Sequence, residues 1–152
     1  ITASNSGSSK NIIPQAAHLE GTTRAFNNNV RDNFESQIRR ILEGIATITR
    51  TKIKLKYHNG TPATINEPES TKLGINIAKE VFKDGFIGDF PLQMGGEDFA
   101  KYLVNIPGCF MLLGGAGKAG HFSQHNKSFQ IDEAALKLGV EYFVRYALAY
   151  LK

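Results

Sequence analysis

The chain has one cysteine, Cys109, among its 152 residues, so no intrachain disulfide can form and a disulfide-stapled scaffold is excluded. No apolar stretch approaches the ~20 residues of a membrane-spanning helix, and the first residues lack the basic-then-apolar plan of a secretory leader. Charge of one sign never gathers into a block. The net charge of +4 balances 18 basic against 14 acidic residues spread over several segments, which argues against a nucleic-acid-binding face. There is no internal repeat, no low-complexity tract, no Gly-x-Ser-x-Gly elbow for a serine nucleophile, and no adjacent pair of glutamates. What remains is a globular composition, long enough for one ordinary core or two small ones. Neither membrane nor nucleic acid is expected as a partner. The lone thiol lies in an apolar run at 109–113, reads as a small buried hydrophobe, and fits a reducing, cytoplasmic setting. The sequence begins at Ile1 and runs at once into strand-like and turn-like residues, which suggests a piece of a longer polypeptide.

Periodicity divides what is there into two halves. Residues 11–14 and 17–26 read as two short extended segments around a Pro14-led turn, with Leu19 and Thr23 facing inward. From Asn28 to Thr49 the apolar residues Val30, Phe34, Ile38, Ile41, Leu42, Ile45 and Ile48 recur at spacings of three and four, predicting an amphipathic helix. The run Asn27-Asn28-Asn29 offers its N-cap, since a short amide accepts a bond from an unpaired first-turn N–H. Lys52, Lys54 and Lys56 then alternate with Ile53, Leu55 and Tyr57, as on a strand with one wet face. Turn chemistry at Asn59-Gly60-Thr61-Pro62 closes the first half.

The second half opens with the helix-initiating Pro68-Glu69-Ser70-Thr71 and places Leu73, Ile77, Ala78, Val81 and Phe82 on one face. A Gly95-Gly96-Glu97-Asp98 turn precedes a short helix at 99–104, which Pro107-Gly108 breaks. The apolar run at 109–113 predicts a strand covered on both faces. A final helix at 132–151 carries Leu136, Val140, Phe143, Val144, Ala147 and Leu151 inward, with Asp132 as N-cap.

Few residues carry chemistry. Gly115, Gly117 and Gly120 match the spacing of a dinucleotide-binding turn, but no helical period follows to present a helix N-terminus, and Lys118 is followed by Ala119 where a Ser or Thr would hold magnesium. His18 and His58 have no acidic or histidine neighbour in a metal-binding pattern. His121 and His125 follow a glycine loop after an apolar run, where α/β sheets collect ligands, and are open to either a metal-binding or a plain loop role. Glu97 and Asp98 are open to two roles as well, as site carboxylates or as caps of the helix after them.

Asn11-Ile12-Ile13-Pro14, Gly21-Thr22-Thr23-Arg24, Gly95-Gly96-Glu97-Asp98-Phe99-Ala100, Pro107-Gly108, Leu113-Gly114-Gly115, and His125 with Phe129 and Asp132-Glu133 together resemble, in order, the C-terminal part of the metal-dependent amidohydrolases. That family includes hippurate hydrolases, N-acyl-amino-acid and indole-acetyl-amino-acid hydrolases, aminoacylases and carboxypeptidases. The resemblance implies an α/β fold class: residues 1–62 as part of a ferredoxin-like α+β lid and dimerisation domain, and 63–152 as part of a zinc-peptidase-like α/β catalytic domain. It implies His125 as a ligand of a centre of two divalent ions (zinc, manganese, cobalt or nickel), and Asn11, Arg24, Gly115 and Glu97 as substrate-binding residues. It further implies a small N-acyl amino acid or peptide as substrate and a homodimer formed through the lid. The family's upstream His or Cys-and-His motif and its Glu-Glu pair are absent, so no general base is expected in this chain, and one His cannot hold two ions. The resemblance therefore implies a hydrolase fragment that is inactive alone; the alternative is a non-catalytic dimerisation or interaction module.

Overall fold

The structure, a computed structural model, describes residues 1–86, 88, 90–116, 122 and 124–152. They fall into two units, Ile1–Ala63 with Met94–Glu97 and Thr64–Gln93 with Asp98–Lys152. Secondary structure is mixed α/β, and its one sheet among the described residues is a two-stranded ribbon.

In the first unit, strand β1 (Ala3–Ser6) pairs antiparallel with β2 (Ala17–Glu20), with Ala3 opposite Glu20 and Ser6 opposite Ala17. The partner of β2 is thus not the expected extended segment at 11–14, which lies in the connection between the strands. Two local features turn the chain there. Gly7 adopts φ 71°, and Ser9 Oγ donates to Asn11 Oδ1 at 2.5 Å. Pro14, lacking an N–H, could not have donated to a ladder. Every residue of the ribbon is exposed, including Leu19, which the sequence pattern places inward. No second layer covers a two-stranded ribbon in this unit, so alternation has nothing to face.

Helix α1 (Asn28–Thr49) begins where predicted: Asn27 Oδ1 accepts from Asn29 N at 2.8 Å and Val30 N at 3.3 Å. Arg50, at φ 55°, ends it in the left-handed region. Phe34, Ile38, Leu42 and Ala46 form its half-buried face, while Val30, Ile41, Ile45 and Ile48 stay exposed. The stretch after it keeps the predicted alternation only in part, with Leu55 and Tyr57 half-buried but Ile53 exposed along with Lys52, Lys54 and Lys56. It joins no ladder among the described residues, because β1 and β2 pair only with each other. Polar side chains hold it instead. Arg31 donates through Nε to Thr61 O at 3.1 Å and through Nη2 to Gly60 O at 2.5 Å, and Asn28 Oδ1 accepts from Ala63 N at 2.8 Å.

The second unit contains the buried core. Helix α2 (Pro68–Phe82) starts with Pro68 at a position where no N–H is needed. Its N-cap is Glu67, whose carboxylate folds back to accept from Glu69 N at 3.0 Å and Ser70 N at 2.6 Å. The Ser70 hydroxyl and these two N–H groups hold the Glu67 carboxyl below the usual carboxylate range. Ile77, Ala78 and Val81 are buried with Tyr142, and Leu73, Phe82, Met111, Tyr146 and Ala149 pack around them. A 3₁₀ turn (Lys83–Gly85) and a short helix α3 (Ala100–Leu103) precede helix α4 (Ala134–Tyr150). Asp132, expected at the N-cap, lies one residue ahead of the N-cap Glu133, and its Oδ1 accepts from Ala134 N at 3.0 Å.

Two expectations fail here. The run at 109–113 is no strand: it pairs with no strand among the described residues, and Leu112 and Leu113 are exposed. Side-chain bonds from Asn66 and packing of Met111 onto the helices replace the sheet neighbours that an apolar run ordinarily finds. Helix α4 also buries a different face. Leu136, Val140, Phe143, Val144 and Leu151 are exposed, Phe143 by 73%, whereas Ala135, Gly139, Tyr142, Tyr146 and Ala149 turn inward. The inward stripe meets α2 at a residue without a side chain: a Cβ on Gly74 would lie 2.8 Å from Tyr142 Oη and 3.1 Å from Cys109 Sγ, while a Cβ on Gly139 would stand 3.0 Å from Leu113 Cδ2.

Replacing Gly74 by Ala should therefore lower stability by about 1–3 kcal/mol through overpacking. Gly44→Ala in α1, where a Cβ meets nothing within 4 Å, should raise it by about 0.5–1 kcal/mol. Urea unfolding of both variants checks this, and an unchanged midpoint for Gly74→Ala would contradict the close approach. Because folding lowers the Glu67 pKa, its contribution is complete above the unfolded carboxylate range and is lost as pH falls through the folded value. Stability measured from pH 7 to pH 3 should thus fall less steeply for Glu67→Gln than for the native chain; parallel curves would remove the cap from the account.

Candidate active site

Arg24 extends from the stretch that follows β2. Residues 22–26 alternate in exposure, Thr23 and Ala25 half-buried and Arg24 outward, which is the period of an extended chain. The Arg24 guanidinium turns back so that Nη1 donates to Thr23 O at 2.9 Å. Its flat face lies along Gly96, where a Cβ would stand 3.7 Å from Nη2 and 3.8 Å from Cζ and Nε. The structure thus brings together two of the motifs singled out in the sequence, Gly21-Thr22-Thr23-Arg24 and Gly95-Gly96-Glu97. Glu97 is half-buried beside that contact. Among the described residues no carboxylate forms an ion pair with Arg24, so its remaining donors face solvent. A guanidinium so held can take a carboxylate through two parallel N–H bonds.

Asn11 lies in the same unit but is engaged locally: its Oδ1 accepts the Ser9 hydroxyl. No recorded contact joins it to Arg24.

Gly115 and His125 belong to the second unit. Asn66 makes both bonds of its amide to one residue, Nδ2 donating to Phe110 O at 3.1 Å and Oδ1 accepting from Phe110 N at 2.8 Å. This pins the chain that runs on to Gly115. Gly115 O then accepts from Asp132 N at 2.8 Å, and a Cβ on Gly115 would meet Ile131 at an ordinary 3.5 Å. His125 is exposed and adopts φ 68°, a left-handed conformation rare outside glycine. Asn126 follows with an Asx turn, its Oδ1 accepting from Ser128 N at 2.8 Å and its carbonyl from Phe129 N at 3.0 Å. His121 and the glycine-spaced stretch 117–120 lie outside the described residues.

An imidazole on an exposed loop is a suitable metal donor, but a metal centre needs several donors together. Among the described residues no three His, Cys, Asp or Glu side chains converge in a way that could hold an ion. The described residues of this chain therefore do not make a metal site by themselves. Cys109 is half-buried, and burial pushes its thiol up. Among the described residues no helix is long and apolar enough to cross a membrane.

Sequence reasoning did not reach Tyr57 and Asn66, which fix the segments bearing Arg24 and Gly115. Tyr57 stood in the pattern as one more inward residue of an alternating run. Its role depends on which residue lies opposite, and alternation does not encode that.

The model of peptidase family M20/M25/M40 matches residues 5–149. Similar curated proteins include thermostable carboxypeptidase 1 of Saccharolobus solfataricus, 32% identical over 91% of this chain and 35% of its own length. N-acetyl-L-cysteine deacetylase of Bacillus subtilis is 34% identical over 92% of this chain and 32% of its own length. Hippurate hydrolase of Campylobacter jejuni is 30% identical over 100% of this chain and 39% of its own length. The chain thus spans about a third of the length of the curated relatives it matches. No solved structure matches it.

Proposed function

This chain belongs to peptidase family M20/M25/M40, and from that premise we propose that it is the C-terminal part of a divalent-metal-dependent amidohydrolase cleaving the amide bond of N-acyl amino acids or small peptides. The observation that carries the reading is the family match across residues 5–149, together with relatives whose names specify N-acetyl-cysteine and hippurate, both N-acyl amino acids. In this reading residues 1–62 are part of a lid and dimerisation domain, through which two copies associate, and 63–152 are the C-terminal part of the catalytic domain.

Arg24 takes the substrate's carboxylate, which its solvent-facing donors and its lack of an ion pair among the described residues support. Glu97, beside the Arg24 contact, lines the same part of the pocket, and Asn11 supplies an amide to the substrate. Gly115 lets the backbone approach substrate without a side chain between. His125 contributes one neutral ring nitrogen to the metal centre, a donor suited to zinc, manganese, cobalt or nickel. The other donors and the general base are supplied from outside this chain. Two such ions, when bound, polarise the scissile carbonyl and activate a water.

Metal-dependent hydrolysis of an N-acyl-amino-acid panel should appear in the full-length protein and be absent from the 152-residue chain assayed beside it under zinc and manganese. In the full-length protein His125→Ala should abolish turnover, with a thermal midpoint close to that of the native protein; native-like turnover would remove His125 from the metal centre. Arg24→Lys should raise KM for N-acyl amino acids about tenfold at nearly constant kcat, because a point charge replaces a two-pronged donor. An unchanged KM would take Arg24 out of the site.

A further inference from the structure

We infer that Tyr57 and Thr23 act as a positioning pair for Arg24, setting the direction in which its guanidinium meets a substrate carboxylate. This deepens the functional proposal above and rests on its assignment of Arg24. The geometry is local to the first unit. Tyr57 Oη and Thr23 Oγ1 lie 2.9 Å apart in a partly buried hydrogen bond between segments 34 residues apart in sequence. Thr23 is then bound at two points: its side chain to Tyr57, and its carbonyl oxygen to Arg24 Nη1 at 2.9 Å. One residue therefore joins a fixed ring to the guanidinium.

The consequence follows from the freedom of an arginine side chain. An exposed guanidinium on a flexible stem samples many directions, and a ligand that selects one pays for the rest. Here one nitrogen is tied to Thr23 O, and Gly96 offers a surface without a side chain beneath the plane. The carbonyl that ties it can hold its direction only if the Thr23 peptide is itself held. The ribbon offers no help beyond Glu20, where β2 ends, and Thr23 takes part in no ladder. The hydroxyl contact to Tyr57 is the cross-segment hydrogen bond recorded for Thr23 among the described residues. Both partners are placed for it by period two: Thr23 and Tyr57 are the half-buried members of alternating stretches whose other members, Arg24 and Lys56, are exposed.

Two measurements test this. In the 152-residue chain, the side-chain Nε–H of Arg24, followed by ¹⁵N relaxation, should lose order in Tyr57→Phe and Thr23→Val and keep it in Thr23→Ser, which retains the hydroxyl. In the metal-loaded full-length enzyme, Tyr57→Phe and Thr23→Val should each raise KM for N-acyl amino acids about fivefold, the factor corresponding to one net hydrogen bond, with kcat unchanged. The double variant should be no worse than either single one, since both remove the same bond, and Thr23→Ser should restore native KM. N-acyl amines without a carboxylate should show none of these changes. If Arg24→Ala leaves KM unaltered, the assignment of Arg24 falls and the positioning role falls with it. If Arg24→Ala raises KM while Tyr57→Phe changes neither KM nor Arg24 order, the pair is a structural bond only and the inference is overturned by itself.

Discussion

Helix α2 carries no side chain at Gly74, and the space this leaves is filled by the Tyr142 ring and the Cys109 thiol. The rest of the second unit depends on that approach. It lets Tyr142 of α4 seat beside Ile77, Ala78 and Val81 of α2, with Tyr146 and Ala149 packed against them. It also brings Cys109 against the helix pair, so that the chain from 109 toward Gly115 is held from one side by the thiol and from the other by Asn66. The arrangement has a polar cost. The Tyr142 hydroxyl finds no oxygen or nitrogen partner among the described residues, and burial pushes both it and the Cys109 thiol toward their neutral forms. A phenylalanine there would avoid the unpaired hydroxyl; the apolar contacts of the ring outweigh it as the chain stands.

The first unit holds its shape by other means. None of its described residues is buried, and its helix keeps only a half-buried face. Its loops are fastened by single polar side chains, Arg31 onto Gly60 and Thr61, Asn28 onto Ala63, and Tyr57 onto Thr23. Each such bond contributes about 1 kcal/mol net, far less than a buried aromatic, so local opening in this unit involves few interactions at a time.

Helices and caps were legible in the sequence because they depend on neighbours three and four residues away. Asn27 caps as read, Asp132 lies one residue ahead of the N-cap it was read as, and α1 runs between the predicted bounds. Strands were less legible because pairing is a fact about two segments. Residues 52–58 and 109–113 have strand patterns yet find no ladder among the described residues, and the small polar residues of β1, with no hydrophobic alternation to mark them, do. The inward face of α4 was misread for a related reason. Hydrophobicity favours Leu136, Val140 and Phe143, but it is Tyr142, Tyr146 and Ala149 that pack on α2, where Gly74 leaves room for the tyrosine. At the candidate site the motifs of Arg24 and Gly96 were visible separately, and their contact was not, since nothing in either segment refers to the other. His125 could be named from its place in the motif, while its left-handed backbone could not, because an αL residue other than glycine leaves no mark of its own.

These two modes of support bear differently on a hydrolytic site. On the proposed role of His125, a ring nitrogen brought to a fixed point is best anchored to a packed core, and the chain of the same unit is pinned at Phe110 and Gly115. A carboxylate anchor has a different task, since its partner arrives from solvent and differs from substrate to substrate in the side chain beside the carboxylate. For that task direction matters more than rigidity throughout, and direction is what two bonds to a single threonine supply. A small error in guanidinium placement then weakens binding at the first contact, and it also shifts the scissile carbonyl at the far end of the same small molecule, where misplacement by about 1 Å costs up to about a hundredfold in rate. On the proposed function, the weak polar fastenings of the first unit are the ones to which turnover is most sensitive, although they contribute least to the stability of the fold.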